Sequence, residues 1–129
     1  MLKEISAWLK KKIQERLDAV QFEKKIIVCL DNESISAIYQ SGEIESIRWE
    51  DVNCIAIETN DSGPWGADLW WLFEGKEKRC AYPGGATGYL DALRELPTRF
   101  PGFSDEMVIK ANGCTSNARF VCWQRNSGL

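Results

Sequence analysis

The chain has 129 residues, 44% of them hydrophobic and 27% charged, with a net charge of −3 and a pI of about 5.1. That length and composition describe a single globular domain, 1–129, large enough to fold on its own core without a metal or a disulfide framework. They exclude a bilayer-spanning helix, since no run approaches the ~20 apolar residues required, and they argue against direct nucleic-acid binding, which needs a basic stripe interleaved with aromatics.

The chain opens Met1-Leu2-Lys3-Glu4-Ile5, with no signal-peptide core, so the expectation is a cytoplasmic protein. Ile5, Trp8, Leu9, Ile13, Leu17 and Val20 recur at steps of three and four. They predict an amphipathic helix over residues 3–21, the main part of an N-terminal unit, 1–22, packed on a sheet. Its lysines suggest a membrane surface, but Glu4, Glu15 and Asp18 dilute them, and no membrane contact is expected.

From Ile26 the period changes to two. Ile26–Leu30, Ser34–Tyr39, Ile44–Trp49 and Val52–Thr59 are rich in β-branched residues and separated by polar turns, the pattern of an antiparallel meander. Cys54, Ala56 and Glu58 alternate with Ile55 and Ile57, which predicts one wet face and one buried face. Asn60–Ala67 (NDSGPWGA) reads as a loop carrying Trp65. Asp68–Glu74 and Glu77–Tyr82 read as a hairpin across Gly75-Lys76, with Trp70 and Trp71 on opposite faces. After Pro83-Gly84-Gly85 a helix is predicted from Thr87 to Leu96, with Tyr89, Leu90, Leu93 and Leu96 on its apolar face and Pro97 ending it. Ser104 is placed to cap a short helix, DEMVIKAN, closed by Asn112-Gly113. Ala118–Trp123 is the last strand and 126–129 a frayed tail. The fold class is therefore α+β: an antiparallel β-meander of six to seven strands in a sheet, with one N-terminal and two late α-helices.

Catalytic signatures are sparse. The chain has no histidine, which removes Ser–His, Cys–His and His–metal arrangements. Of the five cysteines, Cys29, Cys54, Cys80 and Cys122 fall in apolar runs and read as small buried hydrophobes in a reducing compartment, with Cys114 apart from them. The turn Pro83–Gly88 lacks the Lys-Ser/Thr ending of a P-loop and reads as a strand-to-helix connection. No enzyme activity, cofactor or metal is expected. Two carboxylates in a cleft beside Gly84–Gly88 would be the arrangement needed for a hydrolase.

Charge carries the functional signal. Residues 31–68 hold nine acids against Arg48 alone, whereas 1–30 and 69–129 are both net basic. An acidic surface of this kind speeds and orients association with a basic protein partner. The expected binding residues are Glu33, Glu43, Glu45, Asp51, Asp61 and Asp68, with Trp65 as an apolar anchor. Solvation and protection of strand edges also favour acids there.

Two resemblances bear on function. The strand order with the Trp49–Val52 turn and a later helix resembles small bacterial PH-like β-sheet domains, over Ile26–Leu96. The strings DSGPWGADLWWLF, YPGGATGYLDALRELP, PGFSDEMVIKA and ARFVCW resemble a recurrent family of small bacterial proteins. Proteins of this size and kind include immunity proteins of contact-dependent growth inhibition systems. That resemblance implies a cytoplasmic, non-catalytic protein, monomeric in a one-to-one complex, which covers the active site of a nuclease toxin domain. The acids of 31–68 would mimic the phosphates expected by the toxin's basic cleft. The PH-like resemblance implies instead an adaptor for a peptide or regulatory protein.

Overall fold

The computed structural model describes residues 7, 9–11, 14, 21–61 and 69–126. Most of the predicted N-terminal helix, its apolar residues Ile5, Trp8, Ile13, Leu17 and Val20 among them, lies outside these, as do Trp65, Asp68 and residues 127–129. Of the predicted apolar face, Leu9 is described, and it is exposed.

Among the described residues, seven antiparallel strands form an α+β fold with a β-meander. They are β1 (Ile27–Leu30), β2 (Ser34–Ile38), β3 (Ile44–Arg48), β4 (Cys54–Thr59), β5 (Leu69–Glu74), β6 (Arg79–Pro83) and β7 (Ala118–Gln124). They divide into two sheets rather than one, ordered β1-β2-β3 and β6-β5-β4-β7. The break falls at a 3-10 turn, Trp49–Asp51, where the expected strand Val52–Thr59 instead begins at Cys54. Trp49 is the reason: its ring is buried and its indole N–H donates to the Asp31 carbonyl at 3.0 Å, so the chain must turn there to deliver it inward. The last strand returns beside β4, not beside β6, which makes β4 central and explains its buried run Ile55-Ala56-Ile57.

A single core lies between the inward faces of the sheets. Ile35, Ala37 and Ile47 come from the first; Ile55, Ile57, Phe73, Cys80 and Tyr82 come from the second. Each large apolar side chain buried there contributes roughly 1.5–3 kcal/mol before chain entropy is set against it. Helix α1 (Tyr89–Arg99) adds Ala92 and Leu96; helix α2 (Asp105–Asn112) packs on β7 and β4 and adds Ala111. The Ser104 hydroxyl accepts from the Met107 N–H at 3.2 Å, the expected cap.

Helix α1 departs from expectation twice. It runs through Pro97 to Arg99, because Leu96 and Phe100 are anchored in the core and Arg99 is held by Glu95 at 2.8 Å and lies over the Trp49 ring. Those contacts outweigh the hydrogen bond that Pro97 cannot donate. Its buried face is Ala92 and Leu96, while Tyr89 and Leu90 are exposed. Two cysteines also differ: Cys80 and Cys122 are buried, but Cys29 points out of β1 into solvent and Cys54 is half-buried.

The Gly-rich turn before α1 is a structural joint. Thr87 bonds Ile26 and Val28 through its backbone, the Thr87 hydroxyl donates to Lys24 and the Gly85 N–H donates to Glu23. Gly88 sits at φ +92°, and a Cβ there would lie 2.5 Å from the Val28 carbonyl oxygen.

Candidate functional site

The pleat of the four-stranded sheet determines which side chains leave the core. On β4, Cys54, Ala56 and Glu58 face outward; on β5, Trp70, Leu72 and Glu74; on β6, Arg79 and Ala81. Cross-strand register sets Glu58 opposite Trp70 on one side and opposite Arg119 on the other. Arg119 reaches across β4, pairing with Glu58 at 2.9 Å and Glu74 at 2.5 Å. The Glu74 carboxylate above all, and then Glu58, hold the guanidinium above its ordinary pKa.

The hairpin β2–β3 lies against the β6 edge of this sheet. At Ala81, which is buried, both backbone groups are taken by side chains from that hairpin. Glu45 Oε1 accepts the Ala81 N–H at 2.8 Å, and the Tyr39 hydroxyl donates to the Ala81 carbonyl. These two bonds satisfy an edge-strand residue that faces β5 on one side and, among the described residues, has no strand on the other. Burial, reinforced by the nearby Glu45 charge, pushes the Tyr39 phenol up to about 12.

Between hairpin and sheet runs an open groove of about 620 Å³. Tyr39, Trp70, Leu72 and Ala81 supply its apolar surfaces, and Glu43, Glu45 and Glu58 its carboxylates, against Arg79. Glu43 is exposed and its carboxylate makes no ion pair with the described residues. A second groove, about 560 Å³, is lined by Arg48, Lys76, Lys78 and Arg125 together with Glu50, Asp51 and Glu77. Its charges nearly cancel, and Arg125 is already committed to the carbonyls of Glu50 and Val52.

The structure therefore divides the predicted acidic surface. Glu43 and Glu45 line the first groove, and Asp61 stands at its rim, its N–H donating to Asn117, which also lines it. Glu33 and Asp51 lie towards the other end of β2 and β3, roughly 17 Å away at the rise of a five-residue strand. There Glu33 is 4.0 Å from Arg48, and Asp51 lines the charge-balanced groove. Glu58, Trp70 and Tyr39 were not among the expected binding residues. The period-two pattern does place Glu58 on the wet face and sends Trp70 and Trp71 to opposite faces; Trp71 is the buried one.

Other chemistry has less support in the geometry. Beside the Gly-rich turn, Glu23 is the carboxylate lining a smaller groove, and it is engaged by Gly85. Among the described residues no group of three or more His, Cys, Asp or Glu is placed to hold a metal, and no helix is long and apolar enough to cross a membrane. Comparison with protein families, with curated proteins and with solved structures finds no match.

Proposed function

We propose that this is a non-catalytic cytoplasmic binding protein whose acidic groove meets a basic protein partner, and that the partner is the nuclease domain of a toxin, which it neutralises as an immunity protein in a one-to-one complex. The observation that carries this reading is the convergence of Glu43, Glu45 and Glu58 with Tyr39 and Trp70 on one groove of a rigid sheet. Carboxylates fixed beside apolar surface compete with phosphates for a basic cleft, and the aromatics supply area that charge alone lacks. The five free thiols are in keeping with a reducing compartment.

The test is co-expression with the toxin-like protein encoded beside its gene, followed by co-purification and a nuclease assay. Glu43→Lys with Asp61→Lys is expected to weaken the complex by about tenfold or more, ~1.4 kcal/mol, at unchanged melting temperature. Glu33→Lys, at the far end of the hairpin, is expected to change it much less. Equal effects of the two sets would remove the groove from the interface. A partner without nuclease activity would turn the reading to an adaptor for a basic peptide.

A further inference from the structure

Resting on that reading, we infer that the groove receives an arginine side chain of the partner, its guanidinium stacked on Trp70 and paired with Glu58 and Glu45. Among the described residues the fold already builds this unit twice. Arg99 lies over the Trp49 ring at 4.6 Å with its Nε on Glu95 and an Nη on the Asn32 carbonyl. Arg125 lies over the Trp123 ring at 5.4 Å, with acceptors at Glu50, Val52 and Asn53. In each case an arginine covers an indole face while fixed oxygens take its N–H groups.

Trp70 has the rest of that unit, and among the described residues no arginine lies over its ring. Trp49 and Trp123 donate their indole N–H to backbone carbonyls, and Trp71 stacks between Phe73 and Phe103. Trp70, half-buried, makes neither a ring contact nor an indole hydrogen bond with the described residues. Glu58 stands directly opposite it in register, a cross-strand separation of ~4.5–5.5 Å between Cβ atoms. Only Oε2 of Glu58 is used by Arg119, and only Oε1 of Glu45 by Ala81, which leaves one oxygen of each for a cation in the groove. Arg79 does not fill the place: it pairs in register with Glu74, while Trp70 pairs with Pro83 four residues further along β6. A flat donor fork suits a flat indole flanked by carboxylates better than the compact ammonium of lysine.

The experiment follows the six tryptophan indole N–H signals of the 15N-labelled protein by NMR, with Trp70 assigned from Trp70→Phe. The probes are two capped peptides, Gly-Arg-Arg-Arg-Gly and Gly-Lys-Lys-Lys-Gly. The Trp70 signal is expected to move with the arginine peptide at an affinity about threefold to fivefold above that for the lysine peptide, a preference of the size that stacking on an indole supplies. Trp70→Leu is expected to bring the ratio to about one. Should Trp70→Leu not fold, the wild-type titration decides alone. Equal affinities, or binding that leaves the Trp70 signal still, would overturn the arginine site while the acidic-surface reading stands. Failure of both peptides to bind at millimolar concentration would sink the two together.

Discussion

Replacing Glu45 by alanine separates the fold's use of this residue from any use a partner makes of it. Its Oε1 is the acceptor for the Ala81 N–H at 2.8 Å, and Ala81 is only 4% exposed. A buried donor stripped of its partner costs ~1–3 kcal/mol, and a charged acceptor places the loss in the upper half of that range. Glu45 is itself half-buried, so water reaches part of the vacated space and brings the expected loss to ~1.5–2 kcal/mol. For a domain of this size that is a fall in Tm of roughly 5–8 °C. Glu45→Gln keeps an acceptor oxygen and should cost less than ~1 kcal/mol, the charge-assisted part of the bond. Urea unfolding followed by tryptophan fluorescence measures both at constant m value. Tyr39→Phe removes the other half of the clasp on Ala81, so the double variant should lose less or more than the sum of the singles. A Glu45→Ala protein within ~0.5 kcal/mol of the parent, or a glutamine variant as damaged as the alanine one, would refute the account. It would then return Glu45 to the class of acids whose only business is with solvent or a partner.

Two further outcomes are expected. Gly88→Ala combines a positive φ with a Cβ 2.5 Å from the Val28 carbonyl oxygen, and should cost upwards of ~2 kcal/mol in the same unfolding assay; a neutral result would mean that the joint between β1 and α1 yields easily. Stability should also fall at alkaline pH. Burial pushes the Cys122 thiol up to about 11 and the Cys80 thiol and Tyr39 phenol up to about 12, all above their unfolded values, and Tyr82 is raised as well. Their contribution is whole below about pH 9 and is lost as pH climbs through 11 to 12, because the unfolded chain ionises first. A flat stability profile across that window would contradict their burial.

Much of the fold is legible because hydrophobic period is a local signal. Each of the seven strands falls on a run read as a strand, the first four from alternation and β-branching and the next two from the turn at Gly75-Lys76, and Ser104 with its following acids marks α2. The errors sit where a distant contact decides. Pro97 reads as a terminator until Leu96, Phe100 and the Arg99–Trp49 stack hold the last turn together. The break between sheets depends on where the Trp49 indole finds an acceptor eighteen residues earlier, at Asp31. The candidate site is less legible still. Counting acids along 31–68 groups Glu33 with Glu43, but a hairpin puts neighbours in sequence at opposite ends in space. Glu58 and Trp70 come together only through register, and register is not written in either strand alone.

The same register would suit this groove to the proposed partner. Carboxylates on mobile loops lose much of their attraction to the entropy of being held still, whereas those on a paired strand are positioned before a partner arrives. Glu58 is fixed by Arg119 and Glu45 by Ala81, each through one oxygen. Arg119 is shared between two carboxylates, Glu58 and Glu74, so that trio keeps a net negative charge. Glu43, exposed and without an ion pair among the described residues, would add long-range attraction in the proposed complex, which the two fixed carboxylates would convert into orientation. The division of labour makes salt a discriminating variable: association carried by Glu43 should weaken with ionic strength, while the preference for arginine at Trp70 should persist.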